Sequence, residues 1–332
     1  MKRLLITTPF AILLATSPAL ADNQWIIDHH LGSTVTGGLG DLDPTHNSWK
    51  FTAPVFFRDA ECKGGYYCLQ VFTPRKVTSA GTSAYFMNVK IHDQGVNGQY
   101  AAGFLTTPTG PSKDYNDDPP FDVYMSNVTI TPNLPAWKDY QTTNFDGITF
   151  DGGWRTGHVY AEDLTVNNWA DAAIDVKGKQ VQLVRFKSGG DGTNNGHGTL
   201  KLWWAGPHYI VDSTVNNSTF LTAGASGDSG LVGTYDCATL ELRIWNSTFN
   251  GSTTLPRSKI ACWGKGTSAD VKMTYLTTDP RTTGEMHPMF GSAPGPAPAP
   301  DPAPAPKPVT TTTITTCDAT TNACTSTTTL GP

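Results

Sequence analysis

Acidic and basic side chains stand at equivalent places in three short, strand-like segments. Two segments begin at Asp163 and Asp212 and share the pattern Asp-x-Thr-Val-Asn-Asn, and a third has Arg185 and Lys187 in place of the Asp and Thr. A lysine can act as a base only where burial or a nearby cation favours its neutral form, and Lys187 has Arg185 beside it. The alternative, which the pattern favours, is a surface salt-bridge ladder that stabilises by at most about 1 kcal/mol per pair.

The two aspartates of this group suggest a metal site as well as an ion pair. The carboxylates of Asp163 and Asp212 could hold Arg185 in place, or they could contribute oxygen ligands to a hard cation such as Ca²⁺. Calcium is therefore the cofactor that the sequence predicts, if it binds one.

A second group of candidate residues combines lysine with tryptophan. Residues 174–177 and 200–203 match each other at an offset of 26. Stacking these two segments places Lys177 near Trp203 and brings Lys201 beside Asp175. Both lysines and Trp203 are thus predicted to bind substrate.

The direction of the tryptophans follows from strand alternation, which turns Trp203 outward and Trp204 inward. An outward aromatic face is suited to stacking on sugar rings through its apolar area. The alternative is that the long loop at 216–238 simply covers Trp203.

The glycine-rich segment 188–198 joins the two groups and carries Asp191 and His197. Its glycines permit tight, unusual backbone conformations, which would hang both side chains near Lys187 and Lys201. Asp191 is a predicted substrate contact, and His197 is a predicted catalytic residue because it titrates near neutral pH. The alternative is that His197 is an ordinary loop histidine.

The elements that must position these residues are short strands repeated along the chain. The matching positions 163, 185 and 212 are separated by 22 and 27 residues, which suits one coil of a solenoid whose coils bury their inner faces against their neighbours. Alternation turns four apolar side chains of these segments inward: Leu164, Val166, Phe186 and Val215. Residues 240–243 resemble a third copy of the lysine-bearing strand, but their spacing from the following segment conflicts with the other copies.

On these repeats, over about 200 residues, the chain resembles the right-handed parallel β-helix proteins of the pectate-lyase-like superfamily. The resemblance implies an all-β solenoid with three-sided coils and a carbohydrate groove along one outer face. It also implies a lyase that cleaves an acidic polysaccharide by β-elimination, or a non-catalytic carbohydrate-binding protein, adhesin or surface structural protein. Gly196-His197-Gly198 superficially resembles β-helical polygalacturonases, but the chain lacks their Asn-Thr-Asp motif, which disfavours hydrolysis.

The site predicted for such a lyase collects the residues named above. The catalytic residues are Lys187, Arg185 and His197, the substrate-binding residues are Lys177, Lys201, Trp203 and Asp191, and the metal ligands are Asp163 and Asp212. The predicted partner is an acidic polysaccharide or a cell-surface glycan.

The N-terminus predicts export. Lys2 and Arg3 precede an apolar stretch, and Ala19-Leu20-Ala21 has the small-x-small form of a cleavage signal. Six cysteines in an oxidising compartment predict disulfides. Pairing by proximity gives Cys62–Cys68, Cys237–Cys262 and Cys317–Cys324, one of fifteen possible connectivities.

Composition sets the remaining limits. With 38% hydrophobic and 15% charged residues, 33 glycines and 24 prolines, the chain fits an all-β protein. Its net charge of −5 argues against nucleic acid as the main partner, and no apolar run is long enough to span a membrane. We expect a secreted monomer with a signal peptide at 1–21, an N-terminal cap at 22–80, the β-helix at 81–290, a Pro/Ala-rich linker at 291–308 and a disordered Thr-rich tail at 309–332 that holds a small disulfide hairpin.

Overall fold

The computed structural model describes residues 22–42, 48–74, 82–95, 100–109, 120–133, 144–151, 155–189, 198–216, 230–291, 311–317 and 324–330, the last two as backbone alone. The chain divides into two compact units, residues 1–293 and 294–332. The predicted leader at 1–21 and the predicted linker beyond residue 291 lie outside the described residues.

The first unit is built from two parallel sheets, here called sheet A and sheet B, whose strands alternate along the chain. The main path of sheet A runs in order through β1 (Ser33–Leu42), β3 (Val55–Gly64), β5 (Thr82–His92), β7 (Phe121–Thr131), β9 (His158–Val166), β11 (Gln180–Val184), β14 (His208–Val211), β17 (Glu241–Trp245) and β20 (Lys272–Tyr275). Three short strands extend it: β12 (Lys187–Ser188), β15 (Thr214–Val215) and β18 (Thr248–Phe249). Sheet B runs through β2 (Trp49–Thr52), β4 (Tyr67–Pro74), β6 (Tyr100–Thr109), β8 (Asn144–Phe150), β10 (Ala172–Val176), β13 (Gly198–Leu202), β16 (Gly230–Asp236) and β19 (Ile260–Lys265).

This strand order is that of a parallel β-helix, and it confirms the predicted fold class. Each strand pairs in parallel with the strand one coil later, as β5 does with β7 and β7 with β9. The core lies between the sheets, where Leu164, Val166, Phe186 and Val215 are fully buried as predicted.

The coils begin earlier than the sequence indicated. β1 pairs in register with β3 and β2 with β4, so residues from Ser33 onward already form coils and the boundary predicted at residue 81 does not mark their start. The strands were hidden because β1 is rich in glycine and carries no copy of the repeated pattern.

The outer face of sheet A is covered by the two ends of this unit. Helix α1 (Gln24–His29), N-capped by the Asn23 side chain, packs with the short 3-10 helix Pro288–Phe290 against outward aromatic residues of sheet A such as Tyr124 and Tyr160. A second 3-10 helix spans Arg257–Lys259. The region predicted to cap the first coil thus contributes a helix to the side of the solenoid. Among the described residues, no helix has the length and apolar character that a membrane crossing requires.

The sequence conflict around residue 240 is resolved by the pairing. β17 pairs with β14 in sheet A, so Arg243 lies opposite Tyr209. The interpretation of residues 240–243 as a third lysine-bearing strand of sheet B is therefore wrong. The strand that follows β13 in sheet B is β16.

Two of the three predicted disulfides are present. Cys62 bonds to Cys68 and Cys237 bonds to Cys262. In the second unit, β21 (Thr311–Cys317) and β22 (Cys324–Leu330) pair antiparallel with the backbone of Cys317 opposite that of Cys324. That register agrees with the predicted hairpin, and its disulfide stays a prediction.

Candidate functional site

The predicted site residues fall into two separate places. Lys177, Lys201 and Trp203 line one cavity of ≈ 610 Å³ on the outer face of sheet B. Arg185 and Lys187 belong to sheet A or its bends and are not among the residues that line this cavity. Asp191 and His197 lie outside the described residues, so the predicted link between the two groups stays a prediction.

Asp163, Arg185 and Asp212 occupy a column of bends at which the backbone of each coil takes a positive φ. The column, here called the bend ladder, comprises Asp59, Asn88, Asn127, Asp163, Arg185, Asp212 and Asn246, with φ between 44° and 56°. Asn and Asp tolerate this left-handed conformation best among residues other than glycine. The recurrent acid or amide of the repeated pattern is thus explained by backbone geometry.

The side chains of the bend ladder bond to one another from coil to coil. Asn127 Nδ2 donates to Asn88 Oδ1 at 2.8 Å. Arg185 donates from Nε to Asp163 Oδ1 at 2.8 Å and from Nη2 to Asp163 Oδ2 at 2.7 Å. The predicted contact between stacked coils is therefore present, in the form of a bidentate ion pair.

This pairing bears on the catalytic role predicted for Arg185. The hydrogen bonds that Arg185 donates to Asp163 raise the pKa of its guanidinium further, although burial opposes them. An arginine held in this way stays charged and cannot accept a proton. Lys187, two residues further along the chain, is exposed. Its strand register places it opposite Thr165 and Thr214 of the adjacent coils.

The carboxylates predicted to bind calcium both have cationic partners. Asp163 is held by Arg185, and Asp212 Oδ2 accepts from Arg281 Nη2 at 2.6 Å. Asn246 Nδ2 donates to the other oxygen of Asp212 at 2.6 Å. Within the described ranges, no three His, Cys, Asp or Glu side chains converge in a way that could hold a metal ion. Calcium binding stays a prediction.

The floor of the sheet B cavity is formed by outward residues of successive coils. Asp175 lies opposite Thr149 on one side and Lys201 on the other, as the offset of 26 predicted. Six ionisable residues line this floor or form ion pairs with residues that line it. They are here called the floor cluster: Asp146, Asp151, Asp171, Asp175, Lys177 and Lys201.

Of the two lysines of the floor cluster, Lys201 is buried and Lys177 is partly buried, and carboxylates bind both. Lys177 Nζ lies 2.6 Å from Asp151 Oδ1 and 3.3 Å from Asp175 Oδ1. Lys201 Nζ contacts Asp171 Oδ2 and lies 3.7 Å from Asp175 Oδ2. The side chains of Lys201 and Asp171 are 4% and 0% exposed, so this pair is removed from solvent.

Burial alone would lower the pKa of both ammonium groups, but the carboxylates around them raise it by more. The net result is a raised pKa for Lys177, chiefly through Asp175 and Asp151. The pKa of Lys201 is raised chiefly through Asp171. Both side chains therefore stay protonated, which makes neither a base.

Asp146 differs from the other acids of the floor cluster. Burial raises the pKa of its carboxyl group well above the ordinary 3.8, the negative charges of Asp171 and Asp175 raise it further, and Lys201 opposes them. Oδ2 accepts a hydrogen bond from Thr149 Oγ1 at 2.8 Å. Oδ1 is buried and has no hydrogen-bond partner among the described residues. A protonated Asp146 thus has a donor to offer at the cavity floor.

Strand alternation predicts that Asp146 faces inward, because Ile148 and Phe150, two and four residues further along the strand, face the core. The strand changes phase at Gly147, where an added Cβ would lie 2.4 Å from Val166 Cγ1 and 2.6 Å from the Ala173 carbonyl oxygen. Two successive residues, Gly147 and Ile148, therefore face inward. An isolated glycine inside a strand is the sequence signal that could have revealed this irregularity.

An aromatic wall formed by Trp203, Tyr235 and Trp263 borders the floor cluster. The rings of Trp203 and Tyr235 are nearly parallel, at 11°, with centroids 6.1 Å apart. Trp203 Nε1 donates to Asp175 Oδ1 at 2.6 Å, and Lys177 Nζ lies 5.1 Å from the Trp203 ring centroid. The outward direction predicted for Trp203 and its contact with Lys177 are thus observed, whereas the sequence missed Tyr235 and Trp263.

The inward direction predicted for Trp204 is wrong. Its ring lies under the guanidinium of Arg155, 3.8 Å from Cζ, and beside Tyr235. β13 ends at Leu202 and β14 begins at His208, so strand alternation no longer applies at residue 204.

Comparison with known proteins finds one solved structure to report, the crystal structure of pectin methylesterase from Aspergillus niger in deglycosylated form. It is 9% identical to this chain, the match covers 81% of this chain and 90% of that chain, and the TM-score is 0.39. No family model matches the chain, and no curated protein matches it. The fold assignment therefore depends on the observed strand pairing, and the chemistry must be argued from the residues of the cavity.

Proposed function

We propose that this protein is a secreted, polysaccharide-active enzyme that cleaves a glycosidic bond in the sheet B cavity. The observation that carries the proposal is Asp146, a buried carboxylic acid of raised pKa with one oxygen unpartnered among the described residues, on the floor of an aromatic-walled cavity. Strongly perturbed titratable groups in a cleft mark candidate catalytic sites.

The cavity has the size and lining of a sugar-binding site. Its ≈ 610 Å³ lie within the range of about 300–1,000 Å³ that is usual for ligand pockets. Tyr235, 44% exposed, and the adjacent Trp203 present apolar ring area on which sugar rings stack. Asp146, Asn144 and Thr149 supply polar groups below the aromatic wall.

The chemistry assigned to Asp146 is proton donation to the oxygen of the leaving sugar. Glycoside hydrolysis pairs such an acid with a carboxylate that stabilises the positive charge on the sugar ring or activates water. Asp175 is the carboxylate we assign to that second role, because Trp203 Nε1 and the two lysines fix its position. Water adds across the cleaved bond, and the proton it releases restores Asp146.

The β-elimination predicted from the sequence requires a basic side chain in its neutral form. Lys177 and Lys201 carry raised pKa values, and Arg185 and Lys187 are not part of the cavity lining. Elimination on an acidic polysaccharide therefore stays a prediction from the resemblance, and the charges of the cavity favour hydrolysis over it.

Non-catalytic glycan binding is the second candidate, because both ammonium groups of the cavity are already paired with carboxylates. Such pairing would also serve a rigid binding surface. The two candidates differ in what they require of Asp146. Cleavage needs its acidic proton, whereas retention of a sugar chain needs only a side chain at that position that can form hydrogen bonds.

Export is part of the proposal. It is supported by the leader-like N-terminus and by the two disulfides, which persist in oxidising compartments. The monomeric state stays a prediction.

The test is the substitution Asp146→Asn, assayed for release of reducing ends from a panel of polysaccharides. The amide can still accept from Thr149 but cannot donate a proton to a leaving group, so we expect cleavage to fall by about 10²–10⁴-fold with glycan retention kept. Asp41→Asn, which removes an exposed carboxylate paired with Lys63 on β1 and β3, is the matched control. Glycan binding with no cleavage by the wild type would select the non-catalytic candidate, and release of unsaturated uronate would restore the predicted lyase.

A further inference from the structure

The charged residues of the cavity bear on whether its substrate is neutral or anionic. The inference drawn from them rests on that proposed function, since it assigns a substrate class to the same cavity. It concerns the net charge of the floor cluster and the supply of hydrogen-bond donors at its surface.

Each cation of the floor cluster is committed to carboxylates of the protein. Lys177 is paired with Asp151 and Asp175, and Lys201 with Asp171 and Asp175. Three carboxylates against two ammonium groups leave a net charge of −1, even with Asp146 protonated. Arg155 stacks on Trp204 and is not among the residues that line the cavity.

A uronic acid unit would bring a further negative charge into this environment. Removing a carboxylate from water is costly unless a cation or several hydrogen-bond donors receive it. The lysines are 14% and 4% exposed, so they could not turn to a substrate carboxylate without abandoning buried aspartates. The like charge of the cluster adds to that cost.

A neutral sugar meets no such obstacle. Its hydroxyl groups both donate and accept hydrogen bonds, as do the groups available on the floor. Asp146 and Asn144 line the cavity, and the Oδ1 atom of each is buried without a hydrogen-bond partner among the described residues. A protonated Asp146 supplies a donor and the Asn144 carbonyl an acceptor, while Trp203, Tyr235 and Trp263 supply the apolar wall.

We propose that the sheet B cavity selects neutral polysaccharides and discriminates against uronic acid polymers. The net negative floor cluster, in which both lysines are paired with aspartates, provides the discrimination, and the aromatic wall with Asp146 and Asn144 provides the attraction. The family resemblance leads to the opposite expectation, an acidic polysaccharide, which stays a prediction.

The experiment is affinity electrophoresis of the full-length protein through gels that contain one polymer each. The neutral panel is glucan, mannan, xylan and galactan, and the anionic panel is polygalacturonate and alginate, each run with EDTA and with calcium. We expect at least one neutral polymer to retain the protein about tenfold or more tightly than either anionic polymer.

The outcomes separate the inference from the proposed function. Retention by polygalacturonate or alginate as tight as by any neutral polymer, in EDTA or in calcium, overturns the neutral-substrate inference and leaves the cavity as a glycan site. Retention by none of the polymers overturns the proposed function, and the inference with it.

Asp151→Asn provides a second test that does not depend on finding the preferred sugar. Asp151 is 39% exposed at its side chain, and its amide removes one negative charge from the cavity without unpairing Lys177 from Asp175. We expect retention by the anionic polymers to increase about fivefold or more, with no such increase in Asp41→Asn. Unchanged anionic retention in Asp151→Asn would show that charge does not set the selectivity.

Discussion

Sheet A and sheet B both stack acidic and basic side chains on successive coils, yet the two stacks do different things. In the bend ladder, Arg185 binds Asp163 in a bidentate pair at the bends of sheet A and is 33% exposed at its side chain. In the floor cluster of sheet B, Lys201 and Asp171 are almost completely buried, and Asp146 beside them has a raised pKa.

The difference teaches where a charged stack is explained by the backbone and where it is not. Every residue of the bend ladder has a positive φ, so Asn and Asp are there because the bend requires them, and Arg185 joins them through its pair with Asp163. The floor cluster lies on β8, β10 and β13 or directly beside their ends, and none of its residues has the positive φ that would favour Asn or Asp. Four of its ionisable groups are buried, those of Asp146, Asp171, Asp175 and Lys201. Burying them is costly, and a function for them explains that cost.

The outer faces of the two sheets differ in the same sense. Sheet A buries its outward aromatic residues under α1 and the segment around Met289, which closes that face. Sheet B leaves its aromatic wall lining an open cavity, with Tyr235 among the most exposed large hydrophobic residues that the structure describes. The face left open is therefore the one at which we place the substrate.

The largest effect that tests this comparison is the loss of stability when the buried ion pair of the floor cluster is broken. Lys201→Met removes the cation from between buried Asp171 and Asp175 and leaves their charges uncompensated, so we expect it to lower the free energy of unfolding by about 3–5 kcal/mol. Lys63→Met, which breaks an exposed pair with Asp41, is the control and should cost less than about 1 kcal/mol. Urea unfolding followed by tryptophan fluorescence measures both.

A double variant distinguishes the loss of charge balance from the loss of packing. Adding Asp171→Asn to Lys201→Met removes one of the stranded carboxylates, so it should recover part of the stability lost by Lys201→Met alone. Equal losses in Lys63→Met and Lys201→Met would mean that the two ion pairs are energetically alike, and the comparison between the faces would fail.

A smaller effect is expected on the pH dependence of stability. Because burial raises the pKa of Asp146 above its ordinary 3.8, the folded protein binds a proton that the unfolded chain releases as pH rises. The stabilising contribution is complete below pH 3.8 and is lost as pH rises toward the raised pKa. The free energy of unfolding of the wild type relative to Asp146→Asn should therefore fall by up to about 1.4 kcal/mol per pH unit in that window.

The difference between the two proteins isolates Asp146 from other titrating groups. Burial lowers the pKa of His208 and His287 to about 4, so their contributions are lost as pH falls through that value. They act alike in both proteins and cancel in the difference. A difference that stays constant from pH 4 to pH 7 would show that Asp146 ionises normally and would remove the basis for its role as an acid.

The sequence predicted the parallel β-helix and several neighbour contacts because both depend on the repeat. Leu164 and Phe186 had to face inward, and Asp163 had to lie beside Arg185, once positions 22 residues apart were stacked. The offset of 26 likewise predicted that Asp175 meets Lys201 and that Lys177 meets Trp203. These contacts and directions follow from the length of one coil and from the alternation of side chains, which holds wherever a strand is regular.

The rest depended on irregular features that alternation does not encode. Gly147 shifts the phase of its strand and turns Asp146 outward, and Trp204 lies in a connection where no strand continues. The repeat occurs on both sheets, and its sequence does not mark which sheet a copy belongs to. The pattern therefore predicts a single groove for Arg185, Lys187 and Lys201, whereas the structure divides them between two sheets.

The smallest expected effect tests that grouping directly. Arg185 has φ 53°, a conformation that Asn adopts more easily than other residues with a side chain. Arg185→Asn should thus keep the bend, lose an ion pair that is about one-third exposed and lower the free energy of unfolding by about 1 kcal/mol or less. Arg185→Val, which forces a β-branched residue into the left-handed region, should cost about 1–2 kcal/mol more. Both variants should retain wild-type glycan cleavage once folded, because the cavity lies on the other sheet, whereas a large loss of cleavage in well-folded Arg185→Asn would return catalysis to the bend ladder.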